Sequence, residues 1–148
     1  MSTYTQILYQ IVFTTKNQLP VLKEERTNEL YRYFWGILKN KNCHGYIING
    51  VEDHIHIVTH IHPTIALASL VKDLKTSSTK WIKENGIFKD FPGWQAGYGA
   101  FTYSAKDKDR LIEYVKNQKE HHRIKSFTEE DIELLIEHGI SFDEKYLL

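Results

Sequence analysis

Two histidines one residue apart, His54 and His56, are the residues of this sequence best suited to chemistry. The run from Asp53 to Ile57 alternates polar and apolar side chains, which is typical of a β-strand because successive strand residues point to opposite faces. Both imidazoles would then share one face and could bind one divalent cation. A polar strand face that merely carries histidines explains the same pattern, so the pair alone leaves both interpretations open.

A second candidate group lies downstream, where Tyr114 and Gln118 share one face of a predicted helix. A tyrosine hydroxyl, with an ordinary pKa of about 10, becomes a useful nucleophile when a metal polarises the electrophile or stabilises the phenolate. The Gln118 carbonyl oxygen is a hard, neutral ligand suited to Mg²⁺ or Mn²⁺. On spacing alone, the commoner explanation of Tyr114 is that it is a core residue packed beside Leu111 and Val115.

The elements that would position these groups follow the order β-α-β-β-α-β. Periodicity predicts strands over 4–14, 43–51, a segment from 54 that ends before Pro63, and 94–103, with helices over 23–41 and 64–84 and further helices over about 105–123 and 128–139. This order is that of an α+β, ferredoxin-like antiparallel sheet with both intervening helices on one face. The two histidines would then lie on the open face, exposed to a large substrate.

Helix starts are predicted from capping residues. Thr64 is a candidate N-cap for the second helix, and Ser104 with Asp107 resembles a capping box for the third. Thr128 with Asp131 repeats that signature for the fourth helix.

Composition permits a nucleic-acid partner without requiring one. Residues 128–148 hold seven acids and one base, and because the whole chain is formally neutral the preceding 127 residues carry +6. A basic body with an acidic tail is compatible with a polyanion and equally with an ordinary solvated surface. One cysteine excludes an internal disulfide, and with no apparent signal peptide or membrane span we expect a cytoplasmic protein.

Further candidate DNA contacts are lysines and histidines on two predicted helices. Lys72, Lys75 and Lys80 share the second helix with several hydroxyl side chains, a combination that suits phosphate oxygens. A solvated helix face is the commoner cause of such a pattern. His121 and His122 follow Tyr114 near the end of its helix and could contact phosphate or interact with the helix end.

Three segments in register resemble a known family. They are His54-x-His56 following Asp53, the aromatic and glycine-rich run from Gln95 to Phe101, and the segment from Tyr114 through Gln118 to His122. Together they resemble the single-tyrosine transposases of the insertion-sequence 200/605 type, members of the HUH endonuclease superfamily. The resemblance covers essentially the whole chain.

The resemblance implies an enzyme that cleaves and rejoins single-stranded DNA bearing hairpins, through a 5′-phosphotyrosine intermediate. It makes Tyr114 the nucleophile and makes His54, His56 and Gln118 the ligands of Mg²⁺ or Mn²⁺. It also implies a homodimer in which the tyrosine helix of one subunit completes the site of the other. We therefore predict a transposase domain over residues 1–127, with 128–148 as an acidic helical extension of the same domain.

Two other function classes stay open at this point. The first is a ferredoxin-like module without catalysis that binds single-stranded nucleic acid by stacking bases on its aromatic residues. The second is a metal-dependent hydrolase in which His54 and His56 help to activate water. A covalent link between DNA and a tyrosine would distinguish the transposase from both.

Overall fold

The computed structural model describes residues 2–148, apart from the side chain of Tyr146, and contains a four-stranded antiparallel sheet. The strands are β1 (Leu8–Thr14), β2 (Gly45–Gly50), β3 (His54–His60) and β4 (Gly99–Tyr103). The helices are α1 (Thr27–Asn40), α2 (Leu67–Asn85), α3 (Lys108–Lys116), α4 (Gln118–Ile124) and α5 (Phe127–Glu137). The spatial order β2-β3-β1-β4 confirms the predicted α+β, ferredoxin-like arrangement.

One face of the sheet packs against α1 and α2. Cross-strand partners of an antiparallel pair point the same way, so Ile11 opposite Ile57 and Phe13 opposite Ile55 form one apolar surface. All four side chains are fully buried, and hydrophobic burial therefore accounts for the cohesion of this layer. The helix residues packed on this surface include Leu30, Phe34, Leu70 and Leu74.

The opposite face of the sheet is covered by the C-terminal helices. Leu111 and Val115 of α3 pack on Leu8 and Val58, which makes one small apolar cluster. A second cluster joins α5 to the sheet, and its buried members are Val12, Phe101, Phe127 and Leu134. The sheet is therefore the middle layer of three, with helices on both sides.

This third layer corrects the expectation of an exposed histidine face. His54 and His56 do share one face of β3, as predicted, but they are only 1% and 0% exposed. The reason is that Val12 and Val58 on the same face are apolar and gain free energy when helices cover them. The histidines are buried with them.

The predicted third helix is divided in the structure. A 3₁₀ turn over Ala105–Asp107 precedes α3, and a turn at Asn117, with φ −96° and ψ 25°, separates α3 from α4. Tyr114 therefore lies in the last turn of α3, whereas Gln118 is the first residue of α4.

Two predicted helix caps are wrong. The helix α2 starts after Ala66 rather than Thr64, and it ends normally at Gly86, whose φ of 57° suits glycine. The cap of α5 is Ser126, whose hydroxyl accepts a hydrogen bond from the Glu129 amide, so Thr128 lies inside the helix. Among residues 2–148, no helix combines the length and apolarity needed to cross a bilayer.

Candidate active site

The two β3 histidines are held in fixed orientations by neighbours on their outer nitrogens. His54 Nδ1 lies 2.7 Å from Asp53 Oδ1, and His56 Nδ1 lies 2.7 Å from Gln10 Oε1. The Gln10 amide in turn donates to the Tyr103 hydroxyl at 2.9 Å. Such outer partners set the ring orientation, and both Nε2 atoms consequently face the same buried space.

Tyr114 and Gln118 reach this space from the covering layer. Gln118 is fully buried, and its Oε1 lies 3.2 Å from His54 Nε2. The Tyr114 ring centroid is 6.2 Å from that of His56. The structure thus brings together His54, His56, Tyr114 and Gln118, the four residues to which the sequence prediction gave chemical roles.

A fifth residue, Glu130 of α5, connects the other four. Its Oε1 lies 2.9 Å from His56 Nε2 and 3.4 Å from His54 Nε2. Its Oε2 accepts hydrogen bonds from the Tyr114 hydroxyl at 2.5 Å and from the Gln118 amide at 3.3 Å. Sequence reasoning counted Glu130 only among the acids of the tail.

A signal for Glu130 was nevertheless present in the sequence. The apolar residues Phe127 and Leu134 are seven apart and define the inward face of α5. Glu130 is three residues after the first and four before the second, so it lies on that same face. A carboxylate on the apolar face of a helix is rarely buried without partners, and it therefore marks a candidate site.

The residues present fit a divalent cation. Nitrogen and oxygen ligands about 2.1 Å from a metal, at angles of about 90–109°, lie about 3.0–3.4 Å from each other. The Nε2–Oε1 separations of 2.9, 3.2 and 3.4 Å within the group of His54, His56, Gln118 and Glu130 match such ligand edges. A mixture of imidazole and hard oxygen ligands is compatible with Mn²⁺ or Mg²⁺.

The hydrogen-bond chemistry of His56 supports this fit. Both of its ring nitrogens face oxygen acceptors, Gln10 Oε1 and Glu130 Oε1. Complete burial lowers the pKa of His56, which favours the neutral ring, and a neutral ring can donate from only one nitrogen. If Nδ1 donates to Gln10, the Nε2 lone pair faces a carboxylate oxygen, an arrangement that a cation between them would stabilise.

Opposing effects set the protonation of the buried groups His54 and Glu130. Burial lowers the pKa of His54, but hydrogen bonds to Asp53 and Glu130 outweigh it and raise that pKa to about 9. Burial raises the pKa of Glu130, yet the neighbouring imidazoles of His54 and His56 hold it well below the ordinary value. In this arrangement a proton on His54 therefore balances the Glu130 carboxylate.

Tyr114 is in its neutral form in this arrangement. Burial first, and then the negative charge of Glu130, raise the pKa of Tyr114 above its ordinary value. The phenol accordingly donates its proton to the Glu130 carboxylate. Positive charge near Glu130 would reduce that effect and would favour the phenolate.

The two histidines predicted to contact DNA lie close to this cluster. His121 stacks on the Tyr114 ring with centroids 4.5 Å apart, and the His122 ring is 5.9 Å from the His54 ring. His122 also forms a second group of candidate metal ligands with Asp53 and His54, although His122 itself is exposed. Both histidines therefore border the site.

The three predicted lysines lie in the opposite layer. Lys72, Lys75 and Lys80 are on α2, which packs on the other face of the sheet from His54 and His56. The Lys75 ammonium donates to the backbone carbonyls of Gln95 and Gly97, so it fastens the segment before β4. Lys72 and Lys80 are exposed, and their contact with DNA stays a prediction.

Known proteins resemble this chain in sequence and in fold. A family model described as "Transposase IS200 like" matches residues 3–118. Among solved structures, a candidate transposase from Deinococcus radiodurans R1 is similar, with a TM-score of 0.61 and 20% identity over 80% of this chain and 95% of that one. A REP-associated tyrosine transposase bound to a REP hairpin has a TM-score of 0.60 and 13% identity over 82% of this chain and 74% of its own.

These comparisons differ in what they establish. The two solved structures are too distant in sequence to show more than a shared fold, and no curated protein matches the chain. The family model, however, covers most of the chain, including His54, His56, Tyr114 and Gln118. The resemblance predicted from the sequence is thereby confirmed, and this chain belongs to the family of IS200-like transposases, which are DNA-processing enzymes.

Proposed function

We propose that this protein cleaves and rejoins single-stranded DNA through a covalent bond between Tyr114 and the 5′-phosphate. One observation carries the proposal: the Tyr114 hydroxyl and the His54–His56 pair, remote in sequence, meet in one buried hydrogen-bond network around Glu130. A phenol beside a preformed group of metal ligands is what nucleophilic attack on a phosphodiester needs.

In the proposed reaction the Tyr114 oxygen attacks the scissile phosphorus. A bond forms between that phosphorus and the phenol oxygen while the bond to the 3′-oxygen breaks, and the proton lost by the phenol is balanced by one gained at the leaving 3′-oxygen. A divalent cation bound by His54, His56 and Gln118 would supply neutralisation of charge on the phosphate. Attack by another strand's 3′-hydroxyl on the phosphotyrosine reverses the step and releases Tyr114.

The surrounding residues support this chemistry by orientation and by exclusion of water. Asp53 and Gln10 fix the imidazole rings, so little ring motion is lost when a ligand binds. His54, His56 and Gln118 are almost completely buried. Limited access of water favours strand transfer over hydrolysis of the phosphotyrosine.

The decisive experiment is recovery of the covalent adduct. We would incubate the protein with single-stranded oligonucleotides bearing hairpins and Mn²⁺ or Mg²⁺, and then identify DNA-linked peptides by mass spectrometry. Wild type should give an adduct on Tyr114, and Tyr114→Phe should give none. Tyr33→Phe is the matched control, because it also removes a half-buried hydroxyl that donates a hydrogen bond, but from α1 on the other face of the sheet.

Each of the other outcomes contradicts a specific part of the proposal. An adduct on Tyr98 or Tyr103 would identify a different nucleophile. Cleavage without any adduct would favour the hydrolase that activates water. Binding without cleavage would favour the non-catalytic module.

DNA hairpins and a second subunit are the proposed partners. The hairpin bound to the REP-associated relative supports the first of these. In the present structure α3 lies over the histidines of its own chain, with Tyr114 bonded to Glu130, so exchange of tyrosine helices between subunits stays a prediction. Mixing Tyr114→Phe with His56→Ala protein tests it: activity returns if exchanging subunits share sites, and it stays absent if each chain uses its own.

A further inference from the structure

We propose that Glu130 is itself a metal ligand, and that metal binding is therefore linked to the docking of α5 on the sheet. The inference rests on the metal site of the proposed function, and it extends that site to a helix beyond residues 3–118, the segment that the family model matches. It predicts that the α5 helix is part of the reaction centre.

The two carboxylate oxygens of Glu130 have different neighbours. Oε1 lies 3.4 and 2.9 Å from the Nε2 atoms of His54 and His56. Oε2 accepts from the Tyr114 hydroxyl and the Gln118 amide. A cation bound by Oε1 would consequently leave both hydrogen bonds at Oε2 intact, and Glu130 would hold the nucleophile beside the metal.

The burial of this carboxylate depends on its partners. Glu130 is 4% exposed, and a carboxylate in such a place would cost several kcal/mol if it were unpaired. His54, His56, Tyr114 and Gln118 surround it, and a cation bound at Oε1 would add a further compensating charge.

Apolar contacts also hold α5 on the sheet: Phe127 and Leu134 are buried and Leu135 is partly buried in the same cluster, whereas Ile136 is 66% exposed. A cation that binds only when Glu130 is in place would add to these contacts.

Linkage then gives two expectations. A cation that binds the docked form more tightly than the undocked form stabilises the docking of α5, by a free energy that grows with the logarithm of the affinity ratio. By the same thermodynamic cycle, loss of the Glu130 charge weakens metal binding. A neutral glutamine at this position keeps nearly the same shape but lacks the negative charge that attracts a hard cation.

The test is a Mn²⁺ titration of the full chain, followed by electron paramagnetic resonance in the absence of DNA. Glu130→Gln should weaken Mn²⁺ binding at least tenfold. Glu133→Gln is the matched control because it removes the same charge from an exposed position on α5, and its affinity should stay within twofold of wild type. His54→Ala with His56→Ala should abolish binding. A Glu130→Gln affinity within twofold of wild type would overturn the inference.

A second measurement needs no variant and guards against misfolding of Glu130→Gln. Hydrogen exchange of residues 127–137 in wild type should slow on addition of Mn²⁺, whereas exchange in the apolar layer of α1 should change much less. Unchanged exchange of α5 at saturating Mn²⁺ would also overturn the inference.

The outcomes separate this inference from the proposed function. Glu130-dependent Mn²⁺ binding without any DNA–tyrosine adduct would leave the inference standing and would contradict the proposed reaction. If Tyr114 forms an adduct but Glu130→Gln does not change the Mn²⁺ affinity, the proposed reaction would stand and this inference would be contradicted.

Discussion

The two faces of the sheet are buried to the same extent by different physical means. Beneath α1 and α2, Ile55 and Ile57 are fully buried among apolar side chains, and neither of them requires a hydrogen-bond partner. Beneath α3–α5, His54 and His56 are just as inaccessible, but both ring nitrogens of each histidine lie within hydrogen-bond distance of an oxygen atom. Alternate residues of one strand therefore belong to a hydrophobic core and to a polar site.

We therefore expect substitutions on the α1 and α2 face to change mainly stability, and substitutions on the α3–α5 face to change mainly activity. Hydrophobic contacts are non-directional, so the first layer tolerates change as long as volume is kept. A buried polar network depends on orientation, and losing one member leaves the others unsatisfied. His56 and Ile57 are adjacent in sequence and point to opposite layers, and they provide the sharpest comparison.

The largest effect is expected at His56. His56→Ala removes a proposed ligand, and cleavage of hairpin DNA in Mn²⁺ should fall by at least about a thousandfold, as when a catalytic group acting as part of a unit is lost. The unfolding free energy should fall by only about 1–3 kcal/mol, because Gln10 and Glu130 each lose one partner. Oligonucleotide cleavage and urea titration measure the two quantities. Cleavage within tenfold of wild type would remove His56 from the site.

Ile57→Ala should have the opposite profile. Loss of a fully buried isoleucine should lower the unfolding free energy by about 2–5 kcal/mol, because it leaves a cavity under α1 and α2. Cleavage per folded molecule should stay within a few fold, since the side chain points away from the site. Urea titration measures the unfolding free energy, and the yield of DNA–tyrosine adduct measures the fraction of active molecules by which the cleavage rate is divided. A large loss of activity in fully folded protein would show that the two faces are coupled.

Much of the fold could be predicted because its signals are local. Alternation in β3 and helical periodicity in α1 and α2 gave the element order, and that order specified the sheet. Helix starts were less certain, because several hydroxyl residues near each start could serve as caps. Ser126 rather than Thr128 caps α5.

The covering layer was not predicted, although β1 contained a signal for it. Ile11, Val12 and Phe13 are consecutive apolar residues, and a strand that is apolar on both faces indicates burial on both faces. The position of Glu130 could not follow from spacing to Tyr114, because it depends on how α5 folds back on the sheet. The four residues given chemical roles did meet, since strand and helix periodicity place each on a definite face.

A smaller effect is expected from pH in the metal-free protein. Burial lowers the pKa of His54, but its partners Asp53 and Glu130 outweigh burial and raise that pKa from 6.5 to about 9. A proton held more tightly in the folded state stabilises the fold fully below pH 6.5, and that contribution is lost as pH rises through about 9. Urea titrations in EDTA should thus show stability falling between these pH values, by at most about 3 kcal/mol.

His54→Gln provides the control for this pH dependence. The variant lacks the titrating ring, so its stability should change much less over the same interval. The lowered pKa of His56 acts at pH values below its ordinary pKa, outside this window. Identical slopes in wild type and His54→Gln would contradict the assignment of the effect to His54.

The smallest expected effect is on DNA affinity, and it tests on which side of the sheet the DNA strand binds. A cavity of about 440 Å³ is lined by Tyr31, Asn49, Lys119 and His122, and His122 also borders the proposed site. Phosphate contacts dominate the affinity of proteins for DNA, so side chains that can donate to phosphate along the path of the strand should matter most. If DNA follows this cavity, the Lys119→Ala, His122→Ala double variant should bind hairpin oligonucleotides severalfold more weakly, with a shallower dependence on salt.

The matched variant tests the lysines predicted from the sequence. Lys72→Ala with Lys80→Ala removes two exposed cations from α2, in the layer on the far side of the sheet from His54 and His56. Its affinity should stay within twofold of wild type, because a strand that reaches Tyr114 need not pass that layer. Fluorescence anisotropy at several salt concentrations in EDTA compares the two double variants without cleavage. Equal losses in both would show that DNA contacts both layers, and a loss confined to the α2 variant would place its path along α2.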